Sequence, residues 1–298
     1  MSDLGIVIVN WNSEGFLRDC LRSLEAYPPD VAWDVVVVDN ASTDGSAEAV
    51  RREFPRVTVI TNPVNLGFAA GSNVGARATP ARYLLFLNPD TLMHARTLQR
   101  AVAYLDDHPD VGIIGSRTLD RAGKVQPGAY GFPTPLRMFG VVSGLNRLVK
   151  LTRLRDLSKV REPDYIQGSF FFVRRQAYDA VGGFDEDFFL YAEDVDFCLR
   201  ARQAGWKVRY IPELVITHFG GGSARGSLAA LESFVRSLGL LYRKHRTPRD
   251  LRRLRRAIRW GLRVRRMLWA VRSPLVPHVE RRRTSQALRG LAAGTKDL

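Results

Sequence analysis

Three short polar clusters interrupt the apolar first third of the sequence, and each directly follows a run of large or β-branched apolar residues. They are Asn10-Trp11-Asn12, Asp39-Asn40 and Asn88-Pro89-Asp90. Asn, Asp and Pro also end and cap secondary structure, so one such cluster indicates no more than a turn. Three clusters after three buried strands would share one edge of a parallel sheet, where ligands bind in such sheets. The pattern therefore predicts a binding site rich in amides and carboxylates.

The residue types suit a nucleotide. Asp39 can accept hydrogen bonds from a base or a ribose, and the amides of Asn10 and Asn12 can pair with a base edge. The segment 65–73 is rich in small residues and leads into a helix, whose N-terminus favours an anion such as phosphate. It matches neither the GxGxxG nor the GxxxxGK[ST] pattern, so neither a dinucleotide fold nor a P-loop ATPase is indicated.

Alternating strand and helix patterns must position these clusters. Short apolar runs predict strands, and residues at helical spacing predict the helices between them. The strand predictions are Leu4–Val9, Val35–Val38, Val57–Ile60, Tyr83–Leu87, Val111–Gly115, Lys207–Ile211 and Val215–His218. Such alternation with short loops indicates βαβ units and a mostly parallel sheet, hence an α/β fold. Residues 123–163, with several prolines and glycines, are predicted to form a long loop on this body.

Composition limits the class of protein. The 298 residues are 45% hydrophobic and 10% aromatic, which suffices for a sizeable core and excludes general disorder. Two cysteines, Cys20 and Cys198, exclude a disulfide scaffold and favour a reducing compartment. The chain opens Met1-Ser2-Asp3 without a basic, apolar leader, and no apolar run reaches the ~18 residues of a membrane span. We therefore expect a cytoplasmic protein.

The motifs together resemble the family 2 glycosyltransferases of the GT-A fold, and within them the bacterial rhamnosyltransferase-like branch. The resemblance covers about residues 4 to 222. It is carried by Ile8–Asn12, Val37–Ser46, Asn65–Ala69, Leu87–Asp90, Gly168–Phe171, Gly182–Glu186, Glu193–Phe197 and His218, in that order. It implies a GT-A domain over residues 1–222, with a nucleotide-sugar-binding half (1–115) and an acceptor and catalytic half (116–222).

The resemblance also implies residue roles in an inverting transfer of a sugar from a nucleotide diphosphate. Asp194 would be the general base, with Glu193 as second choice, and Asp90 and His218 would hold a divalent cation. The donor would be bound by Asn10, Trp11, Asn12, Asp39, Asn65, Gly67, Phe68, Asn73 and Asn88. The acceptor would be bound by Gly168, Ser169, Gly183 and Phe184.

A sugar transfer of this kind requires carboxylates of the kind assigned above, although each assigned residue also has a simpler structural explanation. A carboxylate must take the proton of the acceptor alcohol, and a hard cation on oxygen ligands stabilises a departing diphosphate. Acids such as Glu193 and Asp194 are also favoured in a first helical turn by the helix dipole alone. Many GT-A enzymes have two acids in the metal motif, whereas this chain has Asn88 at the first position. The cation would then depend more on the imidazole of His218, and a nitrogen ligand favours Mn²⁺ over Mg²⁺.

The net charge of +15 is confined to the C-terminal region. Residues 223–298 contain 20 Lys and Arg against 4 Asp and Glu, whereas residues 1–222 contain 25 against 26. In residues 249–272 an apolar stripe is surrounded by arginines and flanked by Trp260 and Trp269. The stripe consists of Leu251, Leu254, Ile258, Leu262 and Leu268. We expect this basic helical tail to lie on an anionic membrane, and not on nucleic acid, which has the same charge preference.

These observations predict a glycosyltransferase peripheral to the inner face of the plasma membrane that builds a cell-surface or cell-wall polysaccharide. The resemblance favours dTDP-rhamnose as donor, with a UDP-hexose as the alternative, and a glycan or polyprenyl-linked acceptor. A sugar nucleotidyltransferase is disfavoured because residues 10–14 lack a basic, Gly-rich loop after the first strand. A non-catalytic sugar-nucleotide-binding protein stays open because of Asn88.

Overall fold

The structure is a computed structural model, and it describes residues 2–145, 157–220, 228–272 and 290. The chain divides into two compact units. The first comprises Met1–Gly131 and Leu154–Gly222, and the second comprises Phe132–Arg153 and Ser223–Leu298. The sequence-based division at residue 222 assigned Phe132–Arg153 to the catalytic domain, whereas the structure groups this segment with the basic tail.

The strands of the first unit form one large mixed sheet and one small sheet. The order in the large sheet is β3-β2-β1-β4-β10-β6-β11-β5, with β7 beside β6, and β8 pairs with β9 separately. The strands are β1 Leu4–Asn10, β2 Trp33–Asn40, β3 Thr58–Asn62, β4 Tyr83–Leu87, β5 Thr91–Met93, β6 Val111–Leu119, β7 Val125–Gln126, β8 Ala129–Tyr130, β9 Tyr165–Ile166, β10 Phe170–Arg174 and β11 Lys207–His218. The predicted α/β architecture is confirmed.

Helices cover both faces of the parallel part of this sheet. The helices of the first unit are α1 Glu14–Ala26, α2 Ser46–Glu53, α3 Gly67–Ala78, α4 Thr97–Asp107, α6 Arg175–Ala180 and α7 Glu193–Gln203. On one face, Ile6 and Ile8 of β1 belong to a core with α1, α2 and α4. On the other face, α3 lies so close that a Cβ at Gly75 would come within 2.3 Å of Val7 Cγ1. Burial on both faces explains why β1 is an unbroken apolar run.

The direction of β10 is a feature that the apolar pattern does not specify. β1 runs parallel to β2 and to β4, so these three strands end at the same edge of the sheet. β10 lies between β4 and β6 and is antiparallel to both. Its first residue, Phe170, therefore pairs with Leu87, the last residue of β4. Consequently the segment that precedes β10 reaches the same edge as the ends of β1, β2 and β4.

The predicted long loop at residues 123–163 contains regular structure in its described part. It includes β7, β8 and a helix, α5, at Pro135–Ser143. Pro135 begins this helix because the fixed φ of proline suits the first helical turn, and Thr134 caps it by accepting a hydrogen bond from the Arg137 N–H. The two predicted strands at the end of the unit are one strand, β11, with a register shift between Ile211 and Val215.

The second unit is helical in its described part, with α5, α8 (Leu228–His245) and α9 (Pro248–Arg272). Leu254, Ile258 and Leu262 in the predicted membrane-facing stripe are buried within this unit, so this part of the stripe serves internal packing, whereas Leu268 is 45% exposed. Trp260 on the same helix is 58% exposed. No described helix is both long and apolar enough for a membrane span. Residues 273–289 and 291–298 of the predicted tail lie outside the described residues.

Candidate active site

The ends of β1 and β2 are joined by a buried hydrogen-bond network. Asn10 is fully buried and pairs in register with Asp39. The Nδ2 group of Asn10 donates to Asp39 Oδ1 at 2.9 Å, to Ser42 Oγ at 3.1 Å and to Ser46 Oγ at 2.8 Å. Asp39 Oδ2 accepts from the backbone N–H of Ser42 at 3.0 Å. Asn10 thus orients the carboxylate of Asp39 and the loop after β2.

Ser42 and Ser46 are members of this network to which the sequence assigned no role. Both lie in the run of turn-forming residues after β2, and that run was the available signal. Ser46 also bonds Asp44 Oδ1, at 2.5 Å from its hydroxyl. The network explains why small hydroxyl side chains occur here. Ser42 Oγ accepts from Asn10 Nδ2 and from the N–H of Asn12, and Ser46 Oγ accepts from Asn10 Nδ2 and donates to Asp44.

Trp11 and Asn12 lie at the surface beside this network. Trp11 is 57% exposed. Asn12 has a left-handed backbone, with φ of 49°, and its Oδ1 accepts from the N–H of Thr43 at 2.8 Å. A strained backbone held by side-chain hydrogen bonds is frequent at ligand sites. Of the predicted donor-binding residues at the end of β1, these two are therefore open to a ligand, whereas Asn10 is not.

The segment from Asn65 to Phe68 is fixed by three hydrogen bonds. Asn65 Oδ1 accepts from the N–H of Gly67 at 2.9 Å, and Asn40 Nδ2 donates to the carbonyl of Gly67 at 2.9 Å. The N–H of Phe68 donates to the carbonyl of Phe189 at 2.8 Å. Gly67 has φ of 82°, and a Cβ there would lie 2.3 Å from that carbonyl oxygen, so only glycine fits.

Three further predicted binding residues have packing roles in the structure. Asn73 uses its whole amide on protein groups, since Nδ2 donates to Phe184 O and Glu186 Oε1 while Oδ1 accepts from Tyr178 and Phe184 N–H. A Cβ on Gly183 would lie 2.8 Å from the Tyr178 hydroxyl. Phe184 is buried among the rings of Phe86, Phe171 and Phe197.

Asp90 and His218 lie together although 128 positions separate them in the chain. Antiparallel pairing of β11 with β5 joins their segments, and Asp90 Oδ1 lies 3.1 Å from His218 Nε2. Both residues are buried. Asn88 Nδ2 is 3.4 Å from the same ring nitrogen. The structure therefore brings the two predicted metal ligands and Asn88 to one place.

The spacing of this pair fits a divalent cation. Two adjacent ligands of a six-coordinate Mg²⁺, with bonds of about 2.1 Å at right angles, are about 3.0 Å apart. Nδ1 of His218 is buried without a hydrogen-bond partner among the described residues, so the ring has no second anchor there. The described residues contain no group of three or more His, Cys, Asp and Glu side chains suited to a metal. Asp90 and His218 would thus supply two ligands, and the donor phosphates or water the others.

Glu193 and Asp194 begin α7, directly after two residues with left-handed backbones, Tyr191 and Ala192. Asp194 is partly exposed, and its two oxygens accept from the N–H groups of Gly168 at 3.1 Å and Val195 at 2.8 Å. Burial raises the pKa of Asp194, and those hydrogen bonds limit the rise. Burial and then the charge of Asp194 raise the pKa of Glu193, whose Oε2 has no partner among the described residues.

The turn Gly168-Ser169 connects the two acidic centres. Its first residue donates to Asp194 Oδ2, and the carbonyl of Ser169 accepts from the N–H of Asn88 at 3.3 Å. This contact follows from the antiparallel pairing of β10 with β4, which starts one residue later. Asp194 and the segment Asn88–Asp90 are therefore separated by two residues of backbone and lie on one edge of the sheet.

Comparison with known proteins agrees with this architecture. The family model "Glycosyl transferase family 2" matches residues 5–182, which leaves Glu193, Asp194 and His218 outside the match. An N-acetylglucosaminyl-diphospho-decaprenol L-rhamnosyltransferase of Mycobacterium tuberculosis is 29% identical over 232 residues, 72% of this chain and 75% of that protein. The rhamnosyltransferase WbbL of Escherichia coli K12 is 26% identical over 229 residues, 72% of this chain and 82% of that protein.

Solved structures confirm the GT-A fold. The mannosyltransferase PcManGT from Pyrobaculum calidifontis, solved in complex with GDP-Man and Mn²⁺, has a TM-score of 0.61. The two sequences are 21% identical, and the match covers 99% of this chain and 86% of that one. The matched family model spans more than half of the chain, and the ordered motifs from Asn10 to Asp90 fall inside it. This protein therefore belongs to glycosyl transferase family 2.

Proposed function

We propose that this protein transfers L-rhamnose from dTDP-rhamnose to a hydroxyl of a sugar carried on a polyprenyl diphosphate. Two similar proteins are named for rhamnosyl transfer, and the name of one specifies a diphospho-decaprenol acceptor. The proposal depends above all on the contact of the Gly168-Ser169 turn with both Asp194 and Asn88. A sugar transfer needs a base at the acceptor and charge neutralisation at the leaving group, and this turn joins a candidate for each.

Asp90 and His218 act on the leaving-group side. Their oxygen and nitrogen, 3.1 Å apart, would hold Mn²⁺ or Mg²⁺, with Mn²⁺ favoured by the imidazole. When bound, the cation neutralises the charge that develops on the departing diphosphate. The amide of Asn88 beside them provides a neutral ligand or a hydrogen bond to a phosphate oxygen. The carboxylate of Asp39 is oriented by Asn10 and is only 1% exposed, so it would accept hydrogen bonds from the nucleoside through lone pairs that its bonds to Asn10 and Ser42 leave free.

Asp194 acts on the acceptor side. Its carboxylate takes the proton of the acceptor hydroxyl while that oxygen bonds to the anomeric carbon, and the bond from this carbon to the diphosphate breaks on the opposite face. One displacement of this kind inverts the anomeric configuration. Burial makes Asp194 a stronger base than an ordinary carboxylate, whereas Glu193 has its pKa raised further and holds a proton more readily. Asp194 is therefore the better base at neutral pH.

The second unit would bring the enzyme to its lipid-linked acceptor at the inner face of the plasma membrane. Its helix α9 has an exposed face of arginines with Trp260 and Met267, which are 58% and 66% exposed. Cationic and large apolar side chains together suit the interface of an anionic bilayer. This face, rather than the buried leucine stripe, is the proposed membrane contact.

The test is a transfer assay with purified protein and an N-acetylglucosaminyl-diphospho-polyprenol acceptor. dTDP-rhamnose is compared with UDP-glucose and UDP-galactose, each with Mn²⁺, Mg²⁺ or EDTA. We expect transfer from dTDP-rhamnose that depends on the cation, a loss of 10²–10⁴-fold in kcat for Asp194→Asn, about the range of general-base catalysis, and loss of the cation effect for Asp90→Ala.

The control is Asp34→Asn, an exposed carboxylate near the amino end of β2. This variant should transfer rhamnose at the parent rate. Transfer from a UDP-hexose alone would replace the proposed donor. Undiminished turnover by Asp194→Asn would remove the base assignment, and equal rates with EDTA would remove the cation.

A further inference from the structure

Arg121 lies in the hairpin that joins β6 to β7, and it has no role in the active site described above. The turn is rigid, because Asp120 Oδ1 accepts from the N–H groups of both Ala122 and Lys124 at 2.9 Å. The backbone of Asp120 also bonds Lys124 O and Gly123 N–H, each at 2.9 Å. Arg121 is thus presented from a fixed backbone rather than from a loose loop, and its side chain is exposed.

The hairpin is attached to the segment that contains His218. Nε2 of Gln126 in β7 donates to the carbonyl of His218 at 3.0 Å. The guanidinium of Arg121 lies 4.8 Å from the ring centroid of Phe219 and 5.9 Å from that of Phe16. The two rings are 5.7 Å apart, so they form one aromatic platform under the cation.

The platform itself adjoins the predicted metal ligands. The N–H of Phe219 donates to the carbonyl of Asp90 at 3.0 Å, and Phe219 directly follows His218. The guanidinium of Arg121 therefore lies over a residue that is covalently next to one predicted ligand and hydrogen-bonded to the other.

The contacts of Arg121 leave its N–H groups available to a ligand. In the described part of the chain its side-chain contacts are with the two aromatic rings and not with a carboxylate. An arginine that stacks on rings by its face keeps the N–H edge for bidentate bonds, and phosphate oxygens match that edge. The positive charge of Arg121 would also help to neutralise the diphosphate, because the metal motif has Asn88 at its first position and therefore only one acid, Asp90.

We propose that Arg121 binds the diphosphate of the nucleotide donor and of the nucleoside diphosphate that leaves. Its guanidinium would donate to oxygens of the diphosphate, whose cation Asp90 and His218 would hold. Phe16 and Phe219 fix the plane of the guanidinium. This inference rests on the proposed function, since it takes a nucleoside diphosphate as the ligand. It adds a residue that touches the substrate and does not depend on which sugar is transferred.

The test measures binding of dTDP by calorimetry, with Mn²⁺ and with EDTA, and binding of thymidine by NMR titration. For Arg121→Ala we expect the Kd of dTDP to rise about 10- to 100-fold, as for loss of charge-assisted hydrogen bonds. Thymidine binding should not change, because thymidine has no phosphate. Arg121→Lys should recover part of the affinity, since it keeps the charge but loses the bidentate geometry.

The matched control is Lys124→Ala, which removes an exposed positive charge from the same turn without touching the aromatic platform. It should leave the Kd of dTDP within about twofold, whereas an effect equal to that of Arg121→Ala would indicate general electrostatics and overturn the proposal. Equal weakening of dTDP binding and thymidine binding by Arg121→Ala would also overturn it, by indicating a structural role.

The two proposals can fail separately. If the parent protein binds dTDP and Arg121→Ala binds it equally well, only the inference on Arg121 fails. If the parent binds no dTDP, UDP or GDP, the proposed function fails as well.

Discussion

The polar side-chain atoms at the edge of the sheet fall into two groups, those that bond to other protein groups and those that are buried without a partner. The amide N–H groups of Asn10 and the whole amide of Asn73 are used by neighbouring groups. Asn10 Oδ1, Glu193 Oε2 and His218 Nδ1 are buried without partners among the described residues. An unsatisfied buried group costs about 1–3 kcal/mol, so such atoms persist mainly where function retains them.

Residue types were easier to predict from the sequence than residue roles. The polar clusters at Asn10, Asp39 and Asp90 lie at the ends of strands that the structure confirms, because apolar runs that end in polar residues identify strand ends well. Burial of Asn10 was not predictable, since it depends on hydroxyls at Ser42 and Ser46, more than 30 positions away. The roles predicted for the donor and acceptor residues stay predictions.

The titration of Asp194 gives a prediction on pH dependence. Burial raises its pKa above that of an ordinary aspartate, and the base must be ionised to take a proton. The acidic limb of kcat/KM should therefore lie above the ordinary aspartate range near 3.9, with activity rising as pH rises through the shifted pKa. Initial rates at limiting substrate concentration, measured across pH, report this limb.

A comparison variant makes the assignment specific. In Asp194→Glu a carboxylate is kept but displaced from the N–H groups of Gly168 and Val195, which hold the pKa down. Its residual activity should have an acidic limb at a still higher pH. A limb at the ordinary carboxyl value in the parent enzyme would exclude Asp194 as the base.

At the scale of elements, local pattern was sufficient for most strands and helices but not for their arrangement. β4 has the predicted bounds of Tyr83–Leu87, because an apolar run followed by Asn-Pro-Asp has one clear end. β10, a run of three phenylalanines and a valine, would suit any buried strand position in either direction. Its antiparallel insertion depends on tertiary pairing, and that pairing brings Gly168 and Ser169 to the site.

The close approach of α3 to β1 gives a prediction at this scale. A Cβ at Gly75 would lie 2.3 Å from Val7 Cγ1 and 3.1 Å from Val38 Cγ2. Gly75→Ala should therefore lower the free energy of unfolding by about 1–3 kcal/mol, the usual range for overpacking. The same change should weaken nucleotide binding, because α3 begins at Gly67, which bonds Asn40. Chemical denaturation and dTDP titration measure the two effects.

Gly15 provides the matched control in another helix of the same unit. A Cβ there has no neighbour within 4 Å, and the backbone is helical. Gly15→Ala should raise the free energy of unfolding by about 0.4–1 kcal/mol, because alanine has less conformational freedom to lose. Equal stability of the two alanine variants would show that α3 moves away from β1 without penalty.

For the whole molecule, the distribution of charge follows the two units. The excess of positive charge lies in residues 223–298, and the rest of the chain is close to neutral. Within the helical unit, α9 buries Leu254, Ile258 and Leu262 on one side, and Gly261 comes close to the backbone of α5. Packing occupies this side of the helix, and Arg252, Arg256 and Arg263 lie on its exposed side.

The exposed side of α9 carries the side chains that the proposed membrane contact requires. Side chains recur on it every three or four positions, and the set is Arg252, Arg256, Trp260, Arg263 and Met267. The guanidinium of Arg263 lies 4.8 Å from the Trp260 ring centroid, so cation and aromatic ring are presented together. Arginine at a lipid surface contributes about 1 kcal/mol with anionic headgroups, and tryptophan prefers the boundary between headgroups and acyl chains.

Co-sedimentation with vesicles tests this face. The protein should bind vesicles that contain phosphatidylcholine and phosphatidylglycerol, and it should bind vesicles of phosphatidylcholine alone far more weakly. Replacing Arg252, Arg256 and Arg263 by Gln should weaken binding by about fivefold for each charge, and added salt should also weaken it.

Trp260→Ala should weaken binding at every salt concentration. Trp11→Ala, which removes an equally exposed tryptophan in the first unit, should not weaken it. Binding that survives the loss of all three arginines and Trp260 would place the membrane contact elsewhere in the chain, because Met267 alone would remain of the five side chains on this face.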